Sequence, residues 1–175
     1  TGGALDVTVG PLVNAWGFGP VNPSTAPSAF ELETIRSHTG VDLLEMDRGT
    51  YSVRKLDEQT RVDLSAIAKG YAADKVGDLL EENGLTRYMV EVGGEVLVGE
   101  AKRDGSPWRI GIETPDVGAQ HLQRTVPLMN YAMATSGNYR NFYVMDGRTV
   151  GHTIDPRTGQ PVDHDGASVS VIHES

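Results

Sequence analysis

The sequence predicts an α+β fold: a mostly antiparallel sheet, one long helix over residues 66–83, and short helices near the N-terminus. Three observations lead there. The stretch after Ser65 carries helical apolar spacing. The residues that follow it break into short β-rich runs separated by turn residues. Strands and helices also fail to alternate along the chain, as a parallel βαβ sheet would require.

The elements follow in order. Leu12, Val13 and Trp16 fall at near-helical spacing after Pro11, a residue suited to a first helical turn, and residues 17–20 break the pattern. Residues 20–27 form a proline-rich loop, after which Ser28-Ala29-Phe30-Glu31 has capping-box spacing and opens a second short helix, expected to close at Gly40. Between residues 41 and 64 the runs VDLLEMD and TYSVRKL, joined by Arg48-Gly49, read as a hairpin. Ser65 is the expected N-cap of the long helix, with Ile67, Tyr71, Val76, Leu79 and Leu80 on its apolar side and Gly84 as terminator. Strands are expected over residues 87–92, 96–99, 108–113, 121–128, 132–135, 141–145 and 168–172.

Composition narrows what the chain does. Its 175 residues suit one domain of ordinary size. With 38% hydrophobic and 22% charged residues, it lies outside the range where chains remain disordered. Lys and Arg number 15 against 24 Asp and Glu, and the net charge of -9 repels polyanions, which argues against nucleic acid as a partner. The absence of cysteine excludes disulfides, thiolate metal sites and a cysteine nucleophile. No apolar run approaches the roughly 18 residues of a membrane span, and residues 1–20 lack the pattern of a signal peptide.

Four segments carry possible chemistry. Gly2-Gly3-Ala4-Leu5-Asp6 exposes main chain to a flat ligand and adds a carboxylate acceptor; the alternative is a turn with a helix-start carboxylate. Asp63, just before a helix start, and Lys69 in its first turns make an anion site, or else a capped amphipathic helix with a surface lysine. The small residues Ala66, Ala68 and Gly70 would let a ligand or another element come close. Thr135-Ser136-Gly137-Asn138-Tyr139-Arg140 places a hydroxyl near a guanidinium able to grip phosphate, or is a hairpin turn with Arg140 in solvent. His152-Thr153-Ile154-Asp155-Pro156-Arg157 sets a histidine before a tight turn, as a base for a hydroxyl or as a structural residue. His38, His121, His164 and His173 have no metal-ligand spacing, and neither a Walker motif nor a Gly-x-Gly-x-x-Gly after a strand is present.

In this order and at about these separations, TGGALDVTVGPLVNAWGFGP, VDLSAIAKGYAADKVGDLL, YMVEVGGEVLVG, PWRIGIETP, ATSGNYRN and HTIDPRTGQPV resemble the ApbE-type family of bacterial FAD:protein FMN transferases, formerly called thiamine-biosynthesis lipoproteins. The resemblance covers nearly the whole chain. It implies a magnesium-dependent enzyme that cleaves FAD, joins FMN through a phosphoester to a Thr or Ser of an acceptor protein, and releases AMP. Acceptors in such families are subunits of membrane redox pumps and related flavoproteins outside the cytoplasm.

Carried over by position, Ala4, Leu5 and Asp6 line the flavin site, and Asp63, Lys69 and Ile154 are further FAD contacts. His152 matches the base for the acceptor hydroxyl, and Ala66 the residue whose main-chain carbonyl binds magnesium. The family's side-chain magnesium ligands lie beyond Ser175, so the chain is expected to be the central part of a single flavin-transferase domain, truncated at both ends. A periplasmic or cell-envelope lipoprotein is implied, its lipid anchor outside these residues. Two alternatives remain: a magnesium-dependent FAD pyrophosphatase giving FMN and AMP, and a non-catalytic flavin-binding module.

Overall fold

The computed structural model describes residues 1–20, 25–115, 121–139, 141–145, 147–163 and 166–175. In chain order the elements are α1 (Gly10–Ala15), α2 (Ala29–Arg36), β1 (Leu44–Asp47), β2 (Ser52–Lys55), α3 (Ser65–Glu82), β3 (Met89–Val92), β4 (Glu95–Val98), β5 (Trp108–Glu113), β6 (Leu122–Leu128), β7 (Tyr131–Gly137), β8 (Phe142–Met145), β9 (Arg148–Gly151), β10 (Ile154–Asp155), β11 (Gln160–Pro161) and β12 (Ser168–His173). Every strand pairing among the described residues is antiparallel, as the α+β reading requires. The chain forms two compact units, Thr1–Leu64 with Asn141–His164 and Ser65–Arg140 with Asp165–Ser175.

In the first unit Pro11 occupies the opening turn of α1, where its missing N–H costs nothing. Ser28 caps α2 by the expected reciprocal bonds with Glu31. The helix ends at Arg36, short of Gly40, because the chain turns there into a 3-10 segment, Val41–Leu43, that takes the place of the first residues of the expected strand. The core of this unit is Leu12, Trp16, Leu32, Val150 and Ile154. The indole N–H of Trp16 donates to Gly159 O at 2.8 Å, and the Tyr143 hydroxyl donates to Trp16 O at 2.7 Å. These bonds pin the β8–β9 hairpin and the turn after β10 to α1. Strands β9, β10 and β11 were not visible as sequence runs, being two to four residues long and rich in turn formers.

In the second unit α3 lies on a sheet of order β12-β7-β4-β3. Successive side chains of β4 point to opposite faces, and both faces are covered. Leu97 packs with Ala73 and Val90 on the helix side, while Val96 and Val98 pack with Ile110, Leu128 and Met133. The helix begins at Ser65 itself, so Ser65 is its first residue instead of a flanking cap. The expected apolar side is also corrected: Ala73 and Gly77 are the buried positions and Leu80 packs beside them, whereas Ile67, Tyr71, Val76 and Leu79 are 42–63% exposed. The cause is close approach, since a Cβ built on Gly77 would lie 2.6 Å from Leu97 Cδ2. Only the small-residue stripe of the helix fits against β4. Burial pushes the Tyr88 phenol up to about 12, helped by its hydrogen bond to Glu81.

Candidate functional site

The glycine-rich start of the chain behaves as its sequence implies. Gly2 and Gly3 have φ of 61° and 81°, a region that disfavours side chains, and a Cβ on Gly3 would touch Arg157 Cγ at 3.4 Å. Segment 2–6 therefore runs beside the Asp155-Pro156-Arg157 turn of the same unit. Ala4 and Leu5 are exposed; their N–H groups donate to Thr1 O at 3.3 Å and Thr1 Oγ1 at 3.5 Å, so it is their carbonyls that a ligand could meet. Asp6 is half-buried, and its Oδ1 accepts from the N–H of Thr8 at 2.8 Å and from the Thr8 hydroxyl at 2.6 Å.

Asp63 joins the same node through main chain: its N–H donates to Val7 O at 2.7 Å. Its carboxylate abuts the start of α1, where a Cβ on Gly10 would come within 3.1 Å of Oδ2. Asp63 lines an open cleft of about 620 Å³ with Gly10, Pro11, Asn14, Arg61, Val62 and Leu64, a volume in the range of small-molecule sites. Sequence reading did not single out Arg61, a cation on this wall; no motif surrounds it.

His152 follows β9 and is half-buried, with its ring edge-on to Phe18 at 6.2 Å between centroids. Nδ1 lies 3.2 Å from the carbonyl of Asn141, which also accepts the His152 main-chain N–H. A carbonyl only accepts, so Nδ1 carries a proton, and in the neutral ring the lone pair is then on Nε2, the tautomer of a base. Asn141 acts through its main chain, which is why residue type gave no signal for it. Ile154 is buried in the core with Leu12 and Trp16, so only its main chain is available to a ligand. The turn that follows is rigid: Arg157 donates from Nε and Nη2 to the Asp155 carboxylate at 2.9 and 2.6 Å, and its carbonyl accepts from Arg36 at 2.6 Å. The Arg157 side-chain bonds, and after them its main-chain N–H, hold the Asp155 carboxyl down at about 2.

The second unit carries Ala66 and Lys69 on the first turns of α3. Lys69 Nζ donates to Gly93 O at 3.1 Å and sits 2.7 Å from Glu95 Oε2, off the hydrogen-bond axis, as an ionic contact. Gly93 and Gly94, at φ of 57° and 100°, form the turn that presents this carbonyl. The Lys69 ammonium is thus already neutralised within its unit, a pairing the sequence reading missed. Thr135, the hydroxyl expected beside a guanidinium, lies in β7 and pairs with Ser170 across to β12 at 2.7 Å; Arg140 lies outside the described residues, as does His164. His38, set aside by the sequence reading, pairs through Nδ1 with Asp57, whose carboxyl this bond lowers.

Among the described residues no three His, Asp or Glu side chains gather where a metal ion could sit. Magnesium favours octahedral oxygen coordination, and the Ala66 carbonyl alone does not supply it. No helix among the described residues is long and apolar enough to cross a membrane.

The model of the ApbE family matches residues 1–175. The FAD:protein FMN transferase of Vibrio cholerae is 47% identical over 176 residues, covering 100% of this chain and 52% of the relative. That of Klebsiella pneumoniae is 42% identical, covering 98% and 50%. The solved flavin transferase ApbE from Vibrio cholerae superposes with a TM-score of 0.85 at 44% identity, over 99% of this chain and 55% of that one. The ApbE protein of Thermotoga maritima gives 0.87 at 34% identity, with 99% and 55% covered. The chain spans about half the length of the curated relatives it matches. Since the family match takes in the glycine-rich start, the helix of Ala66 and Lys69 and the histidine turn alike, the chain belongs to the ApbE family.

Proposed function

We propose that the protein of which these residues are part transfers FMN from FAD to a Thr or Ser hydroxyl of an acceptor protein, releasing AMP. The observation that carries this reading is the held tautomer of His152, with Nδ1 against Asn141 O and the basic lone pair on Nε2. Family membership supports the same substrate, because the matched relatives are named FAD:protein FMN transferase.

In this reading Nε2 takes the proton of the acceptor hydroxyl as its oxygen attacks the FMN-side phosphorus of the FAD pyrophosphate. The new O–P bond forms as the bond from that phosphorus to the bridging oxygen breaks, and AMP leaves with the bridging oxygen on its phosphate. Asp6 and the exposed carbonyls of Ala4 and Leu5 orient the flavin end. The Asn141 carbonyl and the Phe18 ring hold His152 in place. Magnesium would take the Ala66 carbonyl as one of its oxygens and would neutralise pyrophosphate charge, and the setting of the whole protein is the cell envelope.

A pyrophosphatase would use the same base on water. A third reading is a module that holds flavin without turning it over. The test is turnover of FAD by the full-length protein with and without a threonine-containing acceptor peptide. Fluorescent labelling of the peptide with AMP release supports transfer; FMN and AMP without labelling mean hydrolysis; unchanged FAD means binding only.

A further inference from the structure

Thr8 is fully buried, and its hydroxyl is used twice. It donates to Asp6 Oδ1 at 2.6 Å and accepts from the N–H of Gly40 at 2.7 Å. Its own N–H adds a second bond to the same Oδ1 at 2.8 Å. Both of these donors converge on one carboxylate oxygen, and no protein donor among the described residues reaches Oδ2. A carboxylate has room for about four hydrogen bonds, so Oδ2 of the half-buried Asp6, next to the exposed residues 2–5, has capacity for an incoming donor. The third partner is equally constrained: Gly40 has φ of 152°, and a Cβ there would lie 2.4 Å from Asp42 Oδ1.

From this relay we infer that Thr8 is the positioning residue of the flavin site: it fixes the rotation of the Asp6 carboxylate so that Oδ2 faces a ligand donor, as the ring N–H of a flavin would be. The inference rests on the FAD reading above. A hydroxyl is required because the position must donate to Asp6 and accept from Gly40 at once, which neither valine nor alanine can do. A charged hydrogen bond lost from a buried site costs more than a neutral one, and about a tenfold loss of ligand affinity is expected when the Asp6 carboxylate keeps only the main-chain N–H of residue 8.

The experiment is FAD titration of the full-length protein by flavin fluorescence, with thermal melts alongside. Thr8→Val should weaken FAD about tenfold, and Thr8→Ser, which keeps the hydroxyl, should stay within about twofold of wild type. In an Asp6→Ala background Thr8→Val should add nothing, since its effect passes through the carboxylate. Unchanged affinity in Thr8→Val overturns the inference. So does an equal loss in the presence and absence of Asp6, which marks a purely structural role. If Thr8→Val does not fold, Thr8→Ala, which also lacks the hydroxyl, takes its place with the same outcomes. A wild-type protein that does not bind FAD overturns the flavin reading itself, whereas wild-type binding with an indifferent Thr8 overturns only the role of Thr8.

Discussion

The main-chain N–H of Asp63 donates to the carbonyl of Val7 at 2.7 Å, and this one bond joins the two acidic positions of the candidate site, Asp6 and Asp63. Because the link is backbone to backbone, either carboxylate can be altered without cutting it. The segment it anchors continues into Thr8, which is bonded to Gly40, so three separate stretches of the chain meet around residues 6–8.

His152→Ala in the full-length protein is expected to lower FMN transfer about 100-fold or more, the range of a lost general base, while leaving FAD affinity nearly intact. Transfer rates under single turnover, with FAD titration alongside, check both halves. An unchanged rate removes His152 from the mechanism and leaves it as a residue packed edge-on to Phe18.

FAD is expected to bind more tightly than FMN or riboflavin, because a transferase must grip the pyrophosphate and the AMP half that it releases. Fluorescence titration with the three ligands measures this. Equal affinities would mean that recognition stops at the ring system.

The Asp155–Arg157 pair carries a pH signature. Its carboxyl sits at about 2 in the folded protein, chiefly through the Arg157 side-chain bonds and then the Arg157 N–H, against roughly 3.9 for a free aspartate. A lowered carboxylate stabilises the fold fully above the unfolded value, and that contribution is lost as pH falls from about 4 to about 2. Arg157 is 59% exposed, so the effect is modest. Melting of Asp155→Asn against wild type should show a deficit at pH 7 that closes toward pH 2; a deficit constant over that range would show that charge is not its source.

Gly99 is expected to be intolerant of any side chain. A Cβ there would lie 2.3 Å from the main-chain oxygen of Thr86 and 2.8 Å from Tyr88 Cε1. Backbone cannot rotate aside as a side chain can, so Gly99→Ala should cost about 1–3 kcal/mol, as overpacked sites do. Chemical denaturation gives the figure, and a midpoint equal to that of wild type would show that β4 shifts without penalty.

The amino-acid sequence alone determined the α+β class, the order of nearly all elements, the α2 capping box and the family. These rest on local signals such as the period of apolar residues, Pro11 in a first turn, and long motifs read in order. It also placed the β5 strand at its observed bounds, since Trp108 to Glu113 alternates cleanly between turn residues. Only the tertiary structure decided which face of α3 is buried. The large apolar residues pointed to one stripe, yet the approach of Leu97 left room for Gly77 and Ala73 alone, and distance between elements is not written in either segment by itself. The site divides in the same way. Asp6, Asp63, Lys69 and His152 stood out as candidates by motif and resemblance, but the groups they bond within their own units are the Thr8 hydroxyl and the carbonyls of Val7, Gly93 and Asn141. Main-chain atoms are the same at every residue, so a sequence carries no mark of which carbonyl will be brought to which side chain; only the folded path of the backbone does that.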